Sequence, residues 1–134
     1  MLEVEVFGAE LARDAPPPAE VRRLCAVAAA ASGIEDGHLA IEYVNERRIS
    51  QLNAEYRGKP GPTDVLSFPI DGAVGHGEGD VERELGDVVI CPAQTSDLRE
   101  AIVHGVLHLV GFDHETDDGE MLALQSQLLA REPR

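Results

Sequence analysis

Three histidines fall in one short stretch, His104-Gly105-Val106-Leu107-His108-Leu109-Val110-Gly111-Phe112-Asp113-His114. Positions four apart on a helix share a face, one turn above the other, so His104 and His108 can address a single ion. Gly111 comes three residues after His108, where a left-handed turn ends a helix at little steric cost and lets the chain double back. His114 then arrives from the return loop as a third ligand. Three neutral imidazoles leave one corner of a tetrahedral ion for water, the composition of a catalytic zinc site and not of a closed structural one. Zinc, one ion per chain, suits these donors, because imidazole favours it and no carboxylate-rich oxygen cage is in view. A histidine pair at this spacing is often ordinary half-buried packing. The glycine and the third histidine in register turn the pattern toward a metal site.

The ligand spacing is that of the metzincin proteases, with one difference. Their helix carries a Glu directly after the first histidine as general base, and here that position is Gly105. A peptidase reading therefore lacks its proton acceptor. A glycine within a helix also costs about 1 kcal/mol against alanine, which points to a close approach of another backbone or of substrate at Gly105.

The chain has 134 residues, the size of one domain with a core of its own, and is 43% hydrophobic with no Trp. Its net charge is −14, from 11 basic and 25 acidic side chains, whereas nucleic-acid binding usually leaves a basic footprint. A polyanionic substrate must then meet a local exception. Arg47, Arg48, Arg57 and Lys59 form one, with Glu55 the sole acid among residues 47–59. Cys25 and Cys91 are too far apart in sequence to make a metal pair and too few for a disulfide framework, so a reducing, cytoplasmic setting is expected. The apolar run 24–31 after Arg22-Arg23 is too short to span a bilayer, and no membrane partner is expected.

The elements that must position the histidines follow from periodicity. Leu2, Val4 and Val6 alternate with Glu3 and Glu5 as a first strand. Pro16 to Pro18 open a helix whose inner face holds Val21, Leu24, Cys25 and Ala28, ending near Gly33. Leu39, Ile41 and Tyr43 mark a second strand, with His38 at its beginning as a surface residue. Asn45 caps a helix with Ile49, Leu52, Asn53 and Tyr56 on its packing face, up to Gly58. A third strand covers residues 63–68 and is stopped by Pro69; residues 71–80, with four glycines and His76, read as a mobile excursion. A fourth strand, 85–91, runs antiparallel to the third. Asp97 with Glu100 resembles a capping box for the histidine helix, 98–110. Thr116 and the aspartates after it start a last helix with Met121, Leu124 and Leu128 facing inward. The expected fold is α+β: a single domain, residues 1–134, with a mixed four-stranded sheet, about four helices and the zinc site at the end of the His104/His108 helix.

Taken in order, Thr63-Asp64-Val65-Leu66-Ser67-Phe68-Pro69, Leu85-Gly86-Asp87-Val88-Val89-Ile90 and the three-histidine stretch resemble the bacterial YbeY family of metal-dependent single-strand endoribonucleases. Leu52-Asn53 and Tyr56-Arg57 extend the match, which runs over residues 44–121. The resemblance implies zinc on His104, His108 and His114 with Arg57 as a functional arginine beside it. It also implies single-stranded RNA as substrate, and roles in 3′-end maturation of small-subunit ribosomal RNA and in ribosome quality control. The chain departs from the pattern twice. The segment from Pro92 to Val103 is shorter than usual in the family, and Gln125 stands where a Glu is common four residues after the helix Met.

On this reading the metal polarises a phosphoryl oxygen and activates water, and Arg57 offers a planar donor fork to the negative charge that builds up on phosphorus. The general base stays open among metal hydroxide, a ribose 2′ hydroxyl and a carboxylate, Asp113 or Asp64, either of which can instead orient an imidazole. Two rivals remain. One is a zinc peptidase-like hydrolase. The other is a non-catalytic ribosome-assembly module with a structural metal, whose acidic surface would dock on basic ribosomal proteins.

Overall fold

The computed structural model describes residues 2–70, 84–113 and 117–132. Four strands, β1 (Leu2–Phe7), β2 (Gly37–Tyr43), β3 (Val65–Pro69) and β4 (Glu84–Ile90), form one sheet in the order β1-β2-β4-β3. The helices are α1 (Pro18–Ala30), α2 (Glu46–Arg57), α3 (Leu98–Leu109) and α4 (Glu120–Arg131). The sheet is mixed: β1, β2 and β4 run parallel, and β3 is antiparallel to β4, with Val65 opposite Ile90 and Pro69 opposite Gly86. The expected α+β architecture is therefore present. The third strand differs in detail, because it includes Pro69; β3 is an edge strand, where a residue without an N–H breaks no ladder.

The two faces of the sheet are covered unequally. Leu39, Ile41, Tyr43, Val88 and Ile90 point into the main core, which α1, α3 and α4 close with Leu24, Ile102, Val106 and Met121. On the opposite face, among the described residues, a second cluster lies toward β3 and β4, where Ile49 and Leu52 of α2 pack on Leu66 and Val89. Glu3, Glu5 and Glu42 stay exposed on β1 and β2. Alternation along these strands is what lets one face be apolar and the other wet.

Local signals set most helix ends. Asn45 accepts a hydrogen bond from the Arg48 N–H at 2.8 Å and starts α2. Asp97 accepts from the N–H groups of Arg99 and Glu100 at 3.0 and 3.2 Å and starts α3. The last helix begins later than the sequence pattern implied, at Glu120, because Asp117 takes the capping role: its carboxylate accepts from the N–H groups of Gly119 and Met121. Thr116, and the expected excursion over 71–80 with His76, lie outside the described residues. Cys25 and Cys91 are both buried and free, and burial pushes the Cys25 thiol up to about 12.

A cleft built on the histidine helix

The C-terminal half of α3 carries His104 and His108 on one face, their ring centroids 4.8 Å apart and their planes at 74°. The helix stops just beyond. The Gly111 N–H donates to the His108 carbonyl at 3.1 Å and the Phe112 N–H to the Leu107 carbonyl at 3.0 Å, with Gly111 at φ 108. This pair of bonds is the Schellman arrangement that a positive-φ glycine permits, and it turns the chain back over the histidines. His114 lies outside the described residues. Among the described residues no three His, Cys, Asp or Glu side chains gather to hold a metal ion.

The two histidines line an open cleft of about 740 Å³. Its other walls come from Tyr56 and Arg57 at the end of α2, from Asp64 and Phe68 at and near β3, and from Phe112 and Asp113 after the turn. The structure thus brings Arg57 to the same cleft as His104 and His108, from a helix on the opposite face of the sheet. They meet because β3 is the sheet edge, around which both layers reach. Asp64 spends one carboxylate oxygen at the entry to β3, accepting from the Val65 N–H at 2.8 Å and the Thr63 hydroxyl at 3.3 Å.

Gly105 has a packing cause. A Cβ there would sit 2.3 Å from Val88 Cγ1 and 3.3 Å from Val65 Cγ2, so α3 lies directly on the sheet at this residue. The Ser67 hydroxyl donates to the Gly105 carbonyl at 2.8 Å and ties the edge strand to the same turn. The close approach anticipated from sequence is therefore to strand side chains. The position that holds the base in metzincins is filled here by the sheet.

One partner of the histidines was not legible beforehand. Gln125 of α4, 7% exposed, lies with Oε1 2.8 Å from His104 Nδ1. An amide oxygen only accepts, so Nδ1 carries the proton and the ring lone pair is on Nε2, as a metal-ligating imidazole requires. The donor chemistry of this pair fits a divalent ion such as zinc. The available signal was the inward face of the last helix, where Gln125 follows Met121 by one turn. Tyr56 also departs from expectation. It is 63% exposed and sits at the margin of the apolar patch, against Phe68. Its ring meets Phe68 edge to face, centroids 5.1 Å apart.

Comparison with known proteins follows the same residues. The family model described as "Endoribonuclease YbeY" matches residues 18–132. The protein named endoribonuclease YbeY in Bacillus cytotoxicus is 37% identical over 131 residues, covering 81% of this chain and 82% of its own. The one in Acidothermus cellulolyticus is 44% identical over 112 residues, covering 68% of each chain. That of Macrococcus caseolyticus is 34% identical over 149 residues, covering 96% and 94%. A solution structure of a Thermotoga maritima protein shares the fold, with a TM-score of 0.50 and 24% identity over 94% of this chain and 86% of that one. Because the model match takes in every helix and strand that walls the cleft, and the relatives align over most of their own length, the chain belongs to the YbeY family.

Proposed function

We propose that this protein is a zinc-dependent endoribonuclease that cuts single-stranded RNA in the cleft between α3 and the end of α2. The observation that carries the reading is the pairing of two chemistries on one cleft: an imidazole pair with its tautomer set by Gln125, and the guanidinium of Arg57. The family membership supports RNA as substrate, since the relatives are named endoribonucleases. His104, His108 and His114 would hold one zinc ion per chain, which when bound supplies a Lewis acid toward phosphoryl oxygen and water.

The remaining work falls to side chains. Arg57 binds and neutralises a non-bridging phosphate oxygen with a planar fork that can donate two hydrogen bonds at once. Gln125 holds His104 in one tautomer and one ring orientation, and Ser67 fixes the distance between β3 and the histidine turn. Asp113 and Asp64 both line the cleft, and either carboxylate can take a proton from an attacking hydroxyl or orient an imidazole. Product ends decide between attacking groups: a 2′,3′-cyclic phosphate assigns the ribose hydroxyl, and a 5′ monophosphate with a 3′ hydroxyl assigns water.

In the cell we place this activity in the 3′-end maturation of small-subunit ribosomal RNA and in ribosome quality control, with ribosomal proteins as neighbours. Two free buried thiols suit a reducing cytoplasm, and among the described residues no helix is long and apolar enough to cross a membrane. The test is metal analysis together with a cleavage assay on single-stranded RNA for wild type, Arg57→Ala and His114→Ala. Both variants should lose cleavage, with metal retained only by the arginine variant. Wild-type protein that holds one zinc and leaves RNA intact at stoichiometric concentration would return the metal to a structural role.

A further inference from the structure

We infer that Tyr56, buttressed by Phe68, is a stacking platform for one unpaired nucleobase next to the scissile phosphate; this rests on the endoribonuclease reading and deepens it. Five large apolar or aromatic side chains are conspicuously exposed among the described residues: Phe7, Leu11, Tyr56, Ile70 and Leu122. Only Tyr56 of these lines the histidine cleft. A ring 63% exposed contributes little to the core, yet this one is oriented by the edge-to-face contact with Phe68 at 5.1 Å and 72°. The contact sets the orientation of the ring while it stays 63% exposed on the cleft wall, so ring area is left for a flat partner.

The neighbours say what that partner is. Arg57 follows Tyr56 on the last turn of α2 and lines the same cleft, as do His104 and His108. An aromatic face beside a phosphate-binding arginine matches the repeat of a nucleic-acid strand, base then phosphate, and stacking accepts any of the four bases. A base in a duplex is covered on both faces by its neighbours and cannot offer one to Tyr56, so the platform selects single strands by geometry. Short-range contacts of this sort matter more here than in a basic nuclease. At a net charge of −14 the molecule as a whole does not draw RNA in from a distance.

The chain offers its own reporter. It has no Trp and two Tyr, of which Tyr43 is buried, so quenching of tyrosine emission by RNA reads Tyr56. Titration with a short single-stranded 2′-O-methyl RNA should quench the wild type. Tyr56→Ala should bind it about tenfold more weakly or worse and raise the cleavage KM to match, with kcat changed far less. Tyr56→Phe, which puts back a ring without the hydroxyl, should recover most of the affinity. Replacing the bases by abasic sites should remove the difference between wild type and Tyr56→Ala. Wild type that binds and cuts RNA while Tyr56→Ala matches it in Kd and KM overturns the platform and leaves the endoribonuclease reading standing. A kcat defect without a KM defect in a folded Tyr56→Ala also overturns it. Wild type that neither binds nor cuts RNA overturns both.

Discussion

Two histidines in this molecule are each held by side chains from other elements, and the nature of the holder separates them. His104 in the cleft faces the neutral amide of Gln125, which needs one ring N–H and fixes where the lone pair lies. His38 at the start of β2 faces carboxylates on both sides, Glu84 at Nδ1 at 2.9 Å and Glu5 at Nε2. A carboxylate on each nitrogen calls for two N–H groups, which favours the imidazolium form. The hydrogen bond to Glu84 is the main cause that holds its pKa above the ordinary 6.5; burial opposes it, and the hydrogen bond to Glu5 adds to the rise. One side chain type is thus a prepared ligand in the cleft and a cationic clamp across β1, β2 and β4 at the far side of the sheet. Partner charge, more than exposure, makes the difference.

That contrast can be broken from either side. The largest effect should come from His108→Ala, which removes a ligand outright: zinc affinity and RNA cleavage should both fall by more than about 100-fold, the upper range for merely removing a partner behind a ligand. Gln125→Leu should follow, with zinc affinity reduced about 10–100-fold and the fold intact, measured by competition with a chelating dye. Gln125→Glu gives His104 the kind of partner His38 has. It should preserve metal binding but raise the pH at which zinc displaces the ring proton, visible as an alkaline shift in the pH profile of zinc uptake. An unchanged profile would mean that the charge behind His104 does not govern its affinity.

The smallest effect is expected at His38. With its folded pKa raised, the clamp contributes fully below pH 6.5 and is lost as pH rises through the raised value. For so exposed a cluster the contribution is at most about 1 kcal/mol. His38→Gln should therefore lower the urea midpoint slightly at about pH 5.5 and leave it unchanged at about pH 8.5. A loss that is equal at both pH values would show a packing role instead of a charged one.

The parts of this molecule that could be read from sequence are those governed by near neighbours in the chain. Asn45 and Asp97 cap helices as their types require, Gly111 and Phe112 end α3 through bonds to residues three and five positions back, and alternation located β1 and β2, with turn residues bounding the other two strands. The pairing of β3 with β4 followed from order along the chain. The parts that could not be read depend on distant residues meeting. Nothing near His104 in sequence announces Gln125, 21 positions away, and nothing near Gly105 announces Val88 beneath it. His38 was legible as a surface residue but not as a clamp, because Glu5 and Glu84 reach it only once three strands are aligned. Tyr56 fits the helical period of α2, yet it lies at the margin of the apolar patch, against Phe68, and periodicity does not carry where the patch ends.

The most direct measurement is cleavage of a defined single-stranded RNA by the full chain, before and after chelation and after return of one equivalent of zinc. Activity should vanish on chelation, return at one equivalent, and spare the same sequence in a duplex. Cleavage that persists in the metal-free protein, or that cuts duplex and single strand alike, would contradict the account.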